Sequence, residues 1–303
     1  MSMELSILGC NSAIPTSYRN PSAQVISVSG RIFLIDCGEG TQFQLRKMHV
    51  NFMRINHIFI SHLHGDHMFG LVGLISTMSL LGRSTKLTIF AHEQMESILR
   101  PQLDFFCDNL SFEVEIRPLQ YERTEVILNI KGVQVTSVPL KHRLPTCGFI
   151  FREQPKEPNV IKNAIYKYGL SIADIVSIKN GKPFYDEMGN EVSRKELVIE
   201  PPQPKSYAYI SDTSYCPDII PYIKGVSLLY HEATFGEDNA HLAKKTLHST
   251  AKQAAMIAQQ AEVGKLLIGH FSSRYKETDE LEAEAQEVFP MTMAVWDGLE
   301  LVF

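Results

Sequence analysis

Apolar and polar residues alternate with the period of a β-strand over Glu4 to Gly9, and again over Gln24 to Val28 and Arg31 to Ile35, with Ser29-Gly30 as a hairpin turn between the last two. Between the first strand and the hairpin lies a polar loop, Gly9 to Asn20, in which Arg19 is either an anion contact or plain surface. Thr41 to Met48 can form a short helix, and the apolar run Ile55 to Ile60 predicts a buried strand. Leu71, Leu74, Ile75 and Met78 recur at helical spacing, with Gly82 as the stop. Leu87 to Ala91 predicts a further strand, followed by a helical pattern that Pro101 interrupts. Val114 to Pro118, Glu125 to Ile130 and Val133 to Val138 read as strands, the last two joined at Lys131-Gly132. Strands and helices interleaved in this way predict an α/β fold rather than a bundle or a pure β-sandwich.

The texture changes from about 152 to 205, where Pro155, Pro158, Pro183, Pro201, Pro202 and Pro204 punctuate weakly periodic sequence. An inserted arm is expected there, lysine-rich at first (Lys156, Lys162, Lys167, Lys179, Lys182) and acidic later around Asp186, Glu187 and Glu191. The core pattern then resumes, and each apolar strand delivers a polar residue at its end. Tyr207 to Ile210 runs into Asp212, Val226 to Tyr230 into His231-Glu232, and Lys265 to Gly269 into His270. Thr250 and Gln253 are spaced as a capping box at the start of a helix ending near Gly264. A glutamate-rich helix near Asp279 to Val288 and a strand near Met293 to Trp296 complete the pattern.

Composition narrows the class. The chain has 303 residues, 44% of them hydrophobic, which is enough for a large core without disulfide staples. Its five cysteines are scattered and suit a reduced, cytoplasmic protein. The start of the chain alternates like a strand rather than a leader, and no apolar run approaches the roughly 18 residues of a membrane span. A net charge of −5 argues against non-specific coating of nucleic acid, while leaving room for a local basic patch.

Candidate chemistry concentrates in His62-Leu63-His64-Gly65-Asp66-His67, which follows a strand and precedes a helix. Three imidazoles and a carboxylate within six positions are the donor types that zinc prefers. Asp36, this cluster, His142, Asp212, Glu232 and His270 each fall at a strand end, and ligands of α/β sheets bind outside carboxyl ends of strands. His62, His64 and His142 can then take one ion, Asp66, His67 and His270 a second, and Asp212 can bridge. Asp66 is placed to accept the proton of an activated water. His248, oriented by Glu232, is the candidate acid for the leaving group.

These residues resemble the metallo-β-lactamase superfamily, which implies a four-layer αββα sandwich, here one domain over 1–303 carrying the arm. Phe33 to Gln42, Arg19 to Ala23, His231 to Thr234, His248-Ser249-Thr250 and His270 to Tyr275 resemble more narrowly the short-form ribonuclease Z family of tRNA 3′-processing endonucleases. The resemblance implies a homodimer with two zinc ions per subunit, manganese and iron being alternatives, that cleaves precursor tRNA on the 3′ side of the discriminator nucleotide. It also implies that the arm grips the tRNA, although Lys167 to Ala173 lacks the Gly-Pro pair usual there. The competing readings are a same-fold hydrolase of a small phosphodiester, sulfate ester, lactone or thioester, and a non-catalytic binding relative.

Overall fold

The structure is a computed structural model that describes residues 3–107 and 109–303; Met1 and Ser2 of the first alternating stretch lie outside the described residues. The chain divides into two compact units, Met1–Glu153 with Lys205–Phe303, and Gln154–Pro204. The larger unit begins with β1 (Glu4–Gly9), β2 (Ala23–Val28), β3 (Arg31–Ile35), β4 (Ile55–Phe59), β5 (Leu87–Ala91), β6 (Val114–Pro118), β7 (Glu125–Ile130), β8 (Val133–Leu140) and β9 (Thr146–Glu153). The smaller unit carries β10 (Asn159–Val160) and β11 (Val198–Ile199) as an antiparallel pair. The larger one resumes with β12 (Ser206–Ile210), β13 (Leu228–Glu232), β14 (Leu266–Gly269), β15 (Thr292–Ala294) and β16 (Glu300–Val302).

Two seven-stranded sheets result, in the orders β16-β1-β2-β3-β4-β5-β6 and β15-β14-β13-β12-β9-β8-β7. Each is antiparallel on one side and parallel on the other, with β3 to β6 and β12 to β15 running parallel. Strand alternation assigns the faces. Phe33 and Ile35 enter a core shared by both sheets, while Leu34 between them packs in a second cluster under the helices Thr41–Lys47, Leu71–Leu80 and Met95–Phe106. The helix Ala251–Gln260 lies on the second sheet and opens with the Thr250/Gln253 capping box. Helix, sheet, sheet and helix make the layered α/β sandwich.

Aromatic rings tie the two sheets together. Phe59 stacks on Phe90 at 4.8 Å and meets Phe149 and Phe151 of the opposite sheet, each at 5.4 Å. Because Phe59 ends β4, this packing holds the strand that leads into the histidine cluster.

Two local readings of the sequence are corrected. The helix Met95–Phe106 continues through Pro101. Its buried Met95, Leu99 and Leu103 contribute about 1.5–3 kcal/mol each, which outweighs the roughly 3 kcal/mol cost of an interior proline. The short strand β16 was not expected and forms by pairing with β1.

The smaller unit has its own core of Ala164, Leu170, Ile178, Val192, Leu197 and Val198 around three short helices. Lys167 and Lys179 are paired with Glu196 and Glu157 at 3.1 and 3.3 Å, whereas Lys156, Lys162 and Lys182 are exposed. Among the described residues no helix is long and apolar enough to cross a membrane.

Phe59→Ala removes the ring shared by both sheets and is expected to cost about 3–5 kcal/mol of unfolding free energy. Urea denaturation followed by circular dichroism reads this directly, and a loss below about 1 kcal/mol would show that the aromatic cluster does not hold the sandwich.

Candidate metal centre

Strand ends of both sheets converge on one edge of the larger unit. β3 runs into Asp36, β4 leads into 61–67, β12 runs into Asp212 two residues past its end, β13 ends at Glu232, and β14 runs into His270. Asp36, Asp212 and His270 take left-handed backbone angles, φ 55°, 55° and 58°. Non-glycine residues rarely adopt this conformation. Here it turns each chain sharply where the strand leaves its sheet.

Among the described residues the side chains form three overlapping groups, the third being Asp212, His248 and His270. In the first, His62 Nε2 lies 2.7 Å from His64 Nδ1, and His142 Nε2 lies 3.3 Å from that same nitrogen. Asp212 Oδ1 is 3.8 Å from His62 Nε2 and 3.9 Å from His142 Nε2. In the second, His67 Nε2 is 3.5 Å from Asp66 Oδ2 and His270 Nε2 is 3.6 Å from it. Asp212 Oδ2 is 3.1 Å from His67 Nε2 and 3.4 Å from His270 Nε2. Asp212 therefore faces one group with each oxygen. The Nε2 atoms of His67 and His270 are fully buried and make no hydrogen bond, so both aim into the space between the donors. Buried imidazole nitrogens left unpartnered beside carboxylates are a donor set that fits a divalent cation.

The opposite ring nitrogens are held by the protein, as metal-binding histidines require. His67 Nδ1 donates to Asp36 Oδ2 at 2.7 Å, and that carboxylate also accepts from Tyr209 Oη at 2.7 Å and from the Ser61 N–H at 2.8 Å. His62 Nδ1 lies 3.0 Å from Ser61 Oγ, and His142 Nδ1 donates to the Leu247 carbonyl at 3.0 Å. His270 Nδ1 donates to Thr234 Oγ1 at 3.0 Å, which passes its own proton to Glu232 Oε2 at 2.7 Å. Glu232 also accepts the Thr213 and Thr234 N–H groups and, on Oε1, His248 Nδ1 at 2.7 Å.

Charge follows from this geometry. Burial lowers the pKa of His62, His64 and His142, leaving them neutral and able to donate a lone pair. Around His67, burial is overridden by Asp212, Asp66 and Asp36, which favour positive charge at that point. Asp66 is held far below the usual carboxylate range: burial opposes ionisation, but His67 and His270 outweigh it. The Ala13 N–H donates to Asp66 Oδ2 at 2.7 Å. His248 is moved the other way, to about 9, since the lowering effect of burial is overcome by Glu232.

All the residues singled out in the sequence are thus brought together, except that Asp36 braces His67 rather than entering any group. Arg19 is corrected. It is buried, and its guanidinium donates to the carbonyls of Tyr275 and Lys276 at 2.8 Å each, so it braces a loop rather than offering an anion contact. Sequence reasoning missed Ser61, Tyr209, Thr213 and Thr234. Tyr209 carried the one usable signal, because a tyrosine on a buried strand needs a partner for its hydroxyl.

Comparison with known proteins gives the fold and the family. The family model described as Anti-Pycsar protein Apyc1 matches residues 3–155, a stretch that ends before Asp212, Glu232, His248 and His270. Human tRNase Z, short form, superposes with a TM-score of 0.71 at 24% identity, covering 98% of each chain. The metallo-β-lactamase fold protein YhfI of Bacillus subtilis has a TM-score of 0.68 at 19% identity, covering 100% of each. These two establish the fold. Ribonuclease Z of Parabacteroides distasonis is 45% identical over 298 residues, 98% of each chain, and that of Porphyromonas gingivalis is 45% identical over 295 residues, 97% of each. With 45% identity over nearly the whole of both chains, the chain belongs to the ribonuclease Z family.

Proposed function

We propose that the chain is a metal-dependent endoribonuclease that removes 3′ trailers from precursor tRNA by hydrolysing the phosphodiester 3′ of the discriminator nucleotide. The observation that carries this reading is the Glu232–His248 pair, in which a buried carboxylate holds an imidazole by Nδ1 at 2.7 Å on the wall of a pocket that residues of both donor groups also line. The names of the curated relatives supply the substrate. In the proposed site His62, His64 and His142 would hold one zinc ion and Asp66, His67 and His270 a second, with Asp212 a donor available to both. Bound there, zinc would supply a water acidified toward neutrality and charge stabilisation at the phosphate. Asp66 is ionised and accepts the proton of the attacking water. As the bond from phosphorus to the 3′ oxygen breaks, His248 gives its proton to that oxygen, leaving a 3′-hydroxyl on the tRNA and a 5′-phosphate on the trailer. Glu232 holds the imidazole by Nδ1, so the proton on Nε2 is the one delivered.

The unit Gln154–Pro204 is proposed as the tRNA-binding arm, with exposed Lys156, Lys162 and Lys182 to meet phosphates. A second copy of the chain is the proposed partner, supported by the exposed Phe43, Leu80 and Leu81 on two helices tied together by Thr77 and Gln42; sedimentation velocity would read the dimer, and a monomer at working concentration would remove it.

Three outcomes are expected. With a 3′-extended tRNA as substrate, Asp212→Ala should lose bound metal and activity together, whereas His248→Ala keeps its metal and loses about 10²–10⁴-fold in rate. Full activity in the second variant would remove the acid from the scheme. The rate should fall as pH rises through about 9, where His248 deprotonates. In Glu232→Gln the supporting charge is gone, and this limb should move to lower pH; an unmoved limb would assign it to another group. Deletion of residues 156–200 should weaken tRNA binding at least about tenfold while hydrolysis of a small phosphodiester persists, and equal loss of both would count against a separate arm.

A further inference from the structure

Phe69 is 69% exposed, yet it lines the 460 Å³ open pocket together with His64, Asp66, His248 and His270. Its ring lies over the backbone of Gly65, so closely that a Cβ at that position would stand 2.2 to 2.8 Å from three ring atoms. The Phe69 N–H bonds the Gly65 carbonyl at 2.9 Å and closes the turn that carries Asp66 and His67. An apolar ring thus packs on the backbone of the turn that carries Asp66 and His67, with most of its surface left to solvent. On the same pocket wall, next to His142, Arg143 is exposed and has no ion pair among the described residues.

Isolated exposed phenylalanines are common on protein surfaces and carry no message alone. A ring that packs on the turn at the mouth of a nuclease site is different, because nucleobases stack on aromatic faces whatever their sequence. Resting on the nuclease reading above, we propose that Phe69 is a stacking platform for the base of a nucleotide flanking the scissile phosphate, and that Arg143 contacts a phosphate beside it. The pair would place the bond over the metal-binding turn, making Phe69 a substrate-positioning residue. Gly65 is then the one residue type that leaves room for the platform.

The test is a chemical double-mutant cycle on the full chain, in its metal-loaded form. Two 3′-extended tRNAs are made with an abasic residue on either side of the cleavage site, and each is compared with the intact substrate for wild type and for Phe69→Leu, which keeps the bulk and removes the aromatic face. Phe69→Leu should raise KM for intact tRNA about tenfold with kcat little changed, and Phe69→Trp should restore it. At one of the two positions the abasic substrate should cost wild type a similar factor and cost Phe69→Leu nothing further. Additive penalties at both positions would overturn the stacking assignment, as would wild-type KM in Phe69→Leu. Arg143→Ala should flatten the salt dependence of KM, and an unchanged salt slope removes its phosphate contact. Should wild type fail to cleave intact tRNA at all, the nuclease reading itself falls, and that outcome is separate from either of these.

Discussion

Keeping carboxylates ionised inside protein is the constraint on which the rest depends. Asp212 and Glu232 are at most 2% exposed, and each buried charge costs several kcal/mol unless it is paired. Each of them is met by histidine, and by backbone N–H or hydroxyl groups as well. The histidines are fixed by these contacts and cannot also satisfy their inner nitrogens, so the network stops at a ring of lone pairs directed at a common space. Metal affinity follows from how the negative charge is buried.

This geometry needs backbone that ordinary strands do not provide. Left-handed Asp36, Asp212 and His270 each carry strain of about 1–3 kcal/mol. The strain is sustained by the parallel strands beneath, whose hydrogen bonds fix where each chain must turn. Fold and site are therefore one problem: the sandwich over-determines three strand ends, and those strand ends determine the donor positions. Arg19 shows the same economy at a loop, since its charge is used to hold two carbonyls rather than to meet substrate.

Much of this was legible in the chain. Period-two alternation located most strands, because side chains on opposite faces of a strand meet different surroundings. The recurrence of an apolar run followed by a metal-competent residue pointed, before any family likeness was used, to side chains that the fold brings together. What could not be read was pairing across distance. Nothing local in Ser206–Ile210 says that the Tyr209 hydroxyl reaches Asp36 on the other sheet, and nothing local in Thr234 says that it joins Glu232 to His270. β16 was invisible for a similar reason, since three residues become a strand only when β1 offers an edge. Pro101 was misread because local backbone preference was weighed without the buried face that overrides it.

The donors come from both sheets, and His62 and His270 are separated by roughly two hundred residues of chain. During synthesis the cluster at 62–67 leaves the ribosome early, but its remaining partners at Asp212 and His270 emerge near the end. Neither sheet alone completes either of the first two groups: His62, His64, Asp66 and His67 stand at an end of the first, and His142, Asp212 and His270 at ends of the second, so the centre exists only where the two sheets are packed together.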